Sequence, residues 1–93
     1  MRKTAHIVIK EHLCKQISET RVKNKWTKKK MAEKLAMDDR SYADIENGLS
    51  SCSAVTLIIY IIYVLEDDAQ KVDLFDILRK KLDEAWLEND DTI

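Results

Sequence analysis

Apolar residues recur at helical spacing along most of the chain, and the most sharply punctuated stretch is Thr27 to Gly48. Behind Thr27, whose hydroxyl suits an N-cap, Met31, Ala32 and Leu35 stand at i, i+1 and i+4 and predict a helix of about two turns with one buried stripe. A second short pattern opens at Asp38, another N-cap type, and carries Tyr42 and Ile45 three apart. It stops at Asn47-Gly48, the pair with which a helix leaves through a left-handed C-cap. Two capped helices with so little chain between them are expected to cross steeply.

On the N-terminal side, Ile9, Leu13, Ile17 and Thr20 share one face and predict a helix over most of residues 1–24. The β-branched run Ile7-Val8-Ile9 fits either its first turn or an extended arm lying on a partner subunit. Val22 to Trp26 forms a connection, and Trp26, just before the cap, suits a hydrophobic staple better than a base-stacking platform. After the loop Leu49–Cys52, Ser53 is placed to cap a helix running to Leu65. Its residues favour strand, but a lone strand would have no partner, so helix is expected. Being apolar nearly all round, that helix should be buried on several sides, with the Tyr60 and Tyr63 hydroxyls at an edge. Glu66–Gln70 reads as an acidic break. Val72 to Leu87 then predicts a long amphipathic helix with Phe75, Leu78, Leu82 and Ala85 at a/d spacing, widened by Leu74, Ile77 and Trp86. Residues 88–93 are expected to fray.

The pattern is therefore all-α with five helices. A chain of 93 residues, 45% hydrophobic, suits one domain spanning 1–93, with a core in 10–66 and a C-terminal helix, 71–87, for packing and dimerisation. The absence of Pro and the single Gly disfavour hairpins. Two cysteines and no apolar leader point to a reduced, cytoplasmic setting. The apolar run Leu57–Leu65 is far short of the ~20 residues needed to span a bilayer. The net charge of -1 hides an asymmetry: residues 1–37 carry +8 and the remainder -9, so a basic half can face a polyanion while an acidic half faces away.

From Ile17 to about Leu65 the sequence resembles the phage-repressor-like helix-turn-helix domains of the Xre or Cro/C1 type. The family pattern runs roughly I-x-x-x-R, T-Q-x-x-L-A-x-x-x-G, S-x-x-x-I-S-x-I-E-N-G and T-L. Ile17, Arg21, Thr27, Met31, Ala32, Ser41, Ile45, Glu46, Asn47, Gly48, Thr56 and Leu57 fall in register with it. The resemblance implies a lambda-repressor-like fold that presents the second of the two short helices to the major groove. Asp39, Arg40 and Asp44 would take base-reading positions, Ser41 and Ala43 would lie near the backbone, and Lys28 would contact phosphate with Lys29, Lys23 and Lys25 as helpers. It also implies an ion pair between Arg21 and Glu46. A half-buried carboxylate needs a cation with good geometry, which Arg supplies; the alternative is two solvent-facing charges.

Two departures from the pattern carry physical content. Lys28, Lys29 and Lys30 stand where the family has Gln-Glu-Glu, the wrong sign for a helix N-terminus but favourable for holding phosphate; the alternative is a solvated turn. Arg40 suits guanine, whereas Asp39 and Asp44 repel phosphates and can accept only from cytosine N4. Asp39 suits the helix dipole; Asp44 has no structural reason of that kind.

His6, His12, Cys14 and Cys52 do not form a zinc pattern, since His12 and Cys14 point to different helix faces. No phosphate loop, nucleophile elbow or paired acid/base constellation occurs, so an enzyme, a cofactor and a small-molecule effector are not expected. Two functions remain: a sequence-specific DNA-binding transcriptional regulator acting as a homodimer through Ile59, Ile62, Leu78, Leu82 and Trp86, or a protein-interaction module of the same fold.

Overall fold

The computed structural model describes the backbone of residues 2–90 and the side chains of residues 5–85. Among them the chain is all-helical: α1 (Arg2–Lys23), α2 (Lys28–Lys34), α3 (Asp39–Glu46), α4 (Ala54–Ile59) running on into a π-helical turn (Tyr60–Val64), and α5 (Asp68–Asp90). Residues 7–9 belong to α1, so the extended-arm alternative is excluded.

The three interior helices begin as the capping residues dictate. Thr27 Oγ1 accepts from Lys30 N at 3.0 Å, Asp38 Oδ1 from Ser41 N at 2.7 Å, and Ser53 Oγ from Thr56 N at 3.1 Å. Each removes one of the free amides at a helix start.

Their predecessors end through one shared device. After α1, Trp26 N bonds Arg21 O and Lys25 N bonds Val22 O; after α2, Met37 N bonds Ala32 O and Ala36 N bonds Glu33 O; after α3, Leu49 N bonds Asp44 O and Gly48 N bonds Ile45 O. This paired pattern needs a left-handed residue at its pivot. The pivots are Lys25 (φ 60°), Ala36 (φ 57°) and Gly48 (φ 74°), so only one of the three is glycine. Trp26 and Met37, the residues after the first two pivots, pack on the core and immediately precede the next N-cap. Each apolar residue thus closes one helix and staples the next.

An L-residue held left-handed costs about 1–2 kcal/mol, and Ala36 is exposed, so its methyl has little packing to lose. Ala36→Gly should therefore stabilise the protein by ~0.5–1 kcal/mol after the extra chain entropy of glycine is subtracted. A raised urea midpoint with unchanged m-value would show it; an unchanged or lowered midpoint would rule it out.

The core is built on Ile17, Met31, Leu35, Tyr42, Tyr60 and Leu74, all essentially inaccessible. α1 and α5 pack antiparallel: the Ala5–Leu13 half of α1 shares a cavity with Leu82, and Gln16–Lys23 shares one with Gln70 and Asp73. α3 packs against α1 and α2, and the π-turn against α2.

Four expectations are corrected. α5 starts at Asp68, inside the predicted acidic break, because Asp67 takes over its start: its side chain accepts from Ala69 N at 3.0 Å and its carbonyl from Gln70 N. On α5 the inward seam is the buried Leu74 and Ala85 with the half-buried Leu78, while Phe75 and Ile77 face outward and Leu82 sits at the boundary. The segment expected to be buried on several sides leaves a face open, since Val55 and Ile58 of α4 and Ile62 of the π-turn are exposed. Tyr60 is fully buried, its hydroxyl paired with Thr20 Oγ1 at 2.8 Å, whereas Tyr63 is exposed. That pair satisfies both hydroxyls in the interior and pins the π-turn to α1.

Candidate nucleic-acid interface

The α2–α3 pair carries most of the residues singled out from the sequence. Met31 and Ala32 of α2 and Tyr42 and Ile45 of α3 are buried, which turns the opposite faces outward. Lys28, Lys29 and Lys30 are exposed, as are Asp39, Arg40 and Ser41 at the start of α3 and Lys23 and Lys25 at the end of α1. Ala43 and Asp44 are half-buried. Asp44 lines a cleft of about 330 Å³ with Ser41, Ser50, Ser51, Ser53 and Thr56, and its carbonyl accepts from Leu49 N and Ser50 N. The sequence suggested no structural setting for Asp44; the serine-rich loop 50–53 was the available signal.

Glu46 anchors α3 to α1. Arg21 Nε donates to Glu46 Oε2 at 2.5 Å and Arg21 Nη2 to Oε1 at 3.4 Å, while Nη1 donates to the Trp26 carbonyl at 3.0 Å. The Tyr42 hydroxyl also donates to Glu46 Oε2. The pair is largely withdrawn from water, with the Arg21 and Glu46 side chains 17% and 9% exposed. One guanidinium therefore joins α3, α1 and the entry to α2, which fixes the orientation of the two short helices.

Burial opposes ionisation of Glu46, but the hydrogen bonds from Arg21 and Tyr42, the Arg21 charge and the nearby Lys28 ammonium outweigh it and hold the carboxyl below its usual range. Tyr42 is pushed up, first by burial and then by its bond to Glu46. Because Glu46 titrates lower in the folded chain, its contribution to stability is complete above the unfolded carboxyl value of ~4.3 and is lost as pH falls through the folded value. Glu46→Gln should therefore flatten the acid limb of stability against pH. Urea midpoints taken downward from neutral pH would reveal this, and parallel curves for the two proteins would refute it.

Lys28 thus serves two settings, as an exposed cation at the edge of α2 and as a neighbour of Glu46. Trp26 is half-buried, and Lys34 Nζ lies 4.4 Å from its ring centroid, so the indole is occupied by core packing and a cation. Among the described residues, no three His, Cys, Asp or Glu side chains converge to hold a metal ion. Among the same residues, no helix is long and apolar enough to cross a membrane.

The expected subunit face is partly reassigned. Ile59 and Leu78 pack against the intrachain core, which removes them as free interface residues. Ile62 stays exposed and Leu82 lies at the boundary, while the Trp86 side chain lies outside the described residues. Val55 and Ile58 of α4 and Val72 and Phe75 of α5, which were not among the residues expected at that face, are exposed as well. Between the two helices runs a groove of about 510 Å³ lined by Leu57, Ile61, Leu74, Phe75, Leu78 and Leu82. No protein-family model, no curated protein and no solved structure matches this chain.

Proposed function

We propose that the protein is a DNA-binding transcriptional regulator of helix-turn-helix type, with α2 and α3 as the two helices and a homodimer as the binding species. The observation that carries this is the α2–α3 pair itself. Two short, individually capped helices bury one face each and leave Lys28, Lys29, Arg40 and Ser41 in water. Lysines of that kind neutralise phosphates, and Arg40 is a bidentate donor for guanine O6 and N7. Support for the homodimer comes from the apolar outer surface of α4 and α5, since large exposed apolar patches mark association surfaces.

A protein-interaction module is the second reading, and the carboxylates Asp38, Asp39 and Asp44 on α3 favour it, because each repels a phosphate backbone. Titration of a random duplex at several salt concentrations separates the two. On the DNA reading, binding weakens linearly in log–log terms with salt, and Lys28→Gln with Lys29→Gln reduces the slope by about 2. Circular dichroism of the double variant checks that the loss of Lys28 near Glu46 has not loosened the fold. Absence of binding at low salt would sink the DNA assignment and leave the interaction module.

A further inference from the structure

We propose that the open cavity lined by the N-terminal half of α1, the loop before α4 and Leu82 of α5 binds a single-chain amphiphile with a carboxylate head. This goes beyond the DNA assignment and does not depend on it. The cavity has a volume of about 410 Å³, within the ~300–1,000 Å³ range of small-ligand pockets. Ile9, Leu13 and Leu82 supply an apolar wall, and Cys52 adds to it as a neutral thiol, since burial pushes its pKa up to about 11. Among the described residues, His6 and Lys10 are the basic members of the lining, and no Asp or Glu lines it.

Lys10 points to the charge of the ligand. It is half-buried, and no carboxylate lies within salt-bridge distance of it among the described residues, whereas Arg21 and Lys71 each have one. A half-buried lysine side chain beside an apolar wall favours an anion with a hydrocarbon tail; the tail gains about 0.8 kcal/mol per buried methylene. The groove between α4 and α5 differs in this respect. Lys71, Arg79 and Asp83 line it together, and Lys71 already lies 3.8 Å from Asp68.

The test is a titration of the full chain with octanoate, octanol and octyltrimethylammonium, followed by amide chemical shifts in two-dimensional NMR. Octanoate should give saturable shifts at Ala5–Leu13, Ser51, Cys52 and Leu82, with octanol weaker by about tenfold and the cation inert. Lys10→Met, which keeps an unbranched apolar stem, should weaken octanoate about tenfold while leaving the remaining spectrum in place. Octanol binding as tightly as octanoate, shifts centred on Leu57, Ile61 and Phe75, or no saturable shift would each overturn the proposal.

Discussion

Arg21→Ala is expected to destabilise the protein by about 3 kcal/mol, the scale for breaking a largely buried ion pair by removing one partner. The variant leaves Glu46, 9% exposed, without its cation, and the Trp26 carbonyl without the donor that reaches it from Arg21. For a domain of this size the Tm should fall by more than ~10 °C. Arg21→Lys should recover only part of the loss, since an ammonium cannot span both Glu46 oxygens and the Trp26 carbonyl. In the double variant Arg21→Ala with Glu46→Gln, the losses should fall short of additive, because the stranded charge is gone. A single-variant loss below ~0.5 kcal/mol would put the pair in the class of exposed ion pairs and remove its role in orienting α3.

The second large effect concerns association. On the proposed homodimer, Phe75→Glu should convert the dimer to the 10.9 kDa monomer, weakening association at least ~100-fold, as burying a carboxylate at the centre of an apolar contact would. Stability of the monomer should hardly change, because Phe75 is 69% exposed in the single chain. One position away, Leu74→Ala should do the opposite, costing ~2–4 kcal/mol of folding free energy through the cavity it leaves. Sedimentation equilibrium and urea titration of the two variants keep the effects apart. Wild-type protein sedimenting as a monomer at every concentration, or Phe75→Glu retaining the dimer mass, would dispose of this face as the subunit contact.

That neighbouring pair also marks where sequence reasoning succeeds and where it stops. Capping chemistry is local, so Thr27, Asp38 and Ser53 announce three helix starts correctly, and Asn47-Gly48 announces a stop. The helical state of residues 54–64 follows from the lack of a pairing partner, against their strand propensity. In α5, by contrast, apolar residues at 72, 74, 75, 77, 78 and 82 cover more than half of the helix circumference. Two overlapping stripes fit them equally well, and only the position of α1 selects Leu74 and Leu78 over Phe75. The first two helix ends were placed closely, but their left-handed pivots, Lys25 and Ala36, went unseen because neither is the glycine that normally declares one. Tyr60 was misplaced because its partner, Thr20, is 40 residues away and on another helix. Within the candidate interface, Arg21 and Glu46 could be paired in advance by the resemblance and by charge logic, whereas the hydroxyl-lined setting of Asp44 depends on how the 50–53 loop folds back.

Because Trp26 and Met37 each complete one helix while starting the following one, neither junction has a residue to spare. Adding or deleting a single amino acid there would unmake two helix ends together, so length variation and tag insertion belong elsewhere. Ser51–Cys52, beyond the bonds that close α3 and ahead of the Ser53 cap, and Glu66, ahead of the Asp67 cap, are the places where the polypeptide can be lengthened without changing the angle between α2 and α3.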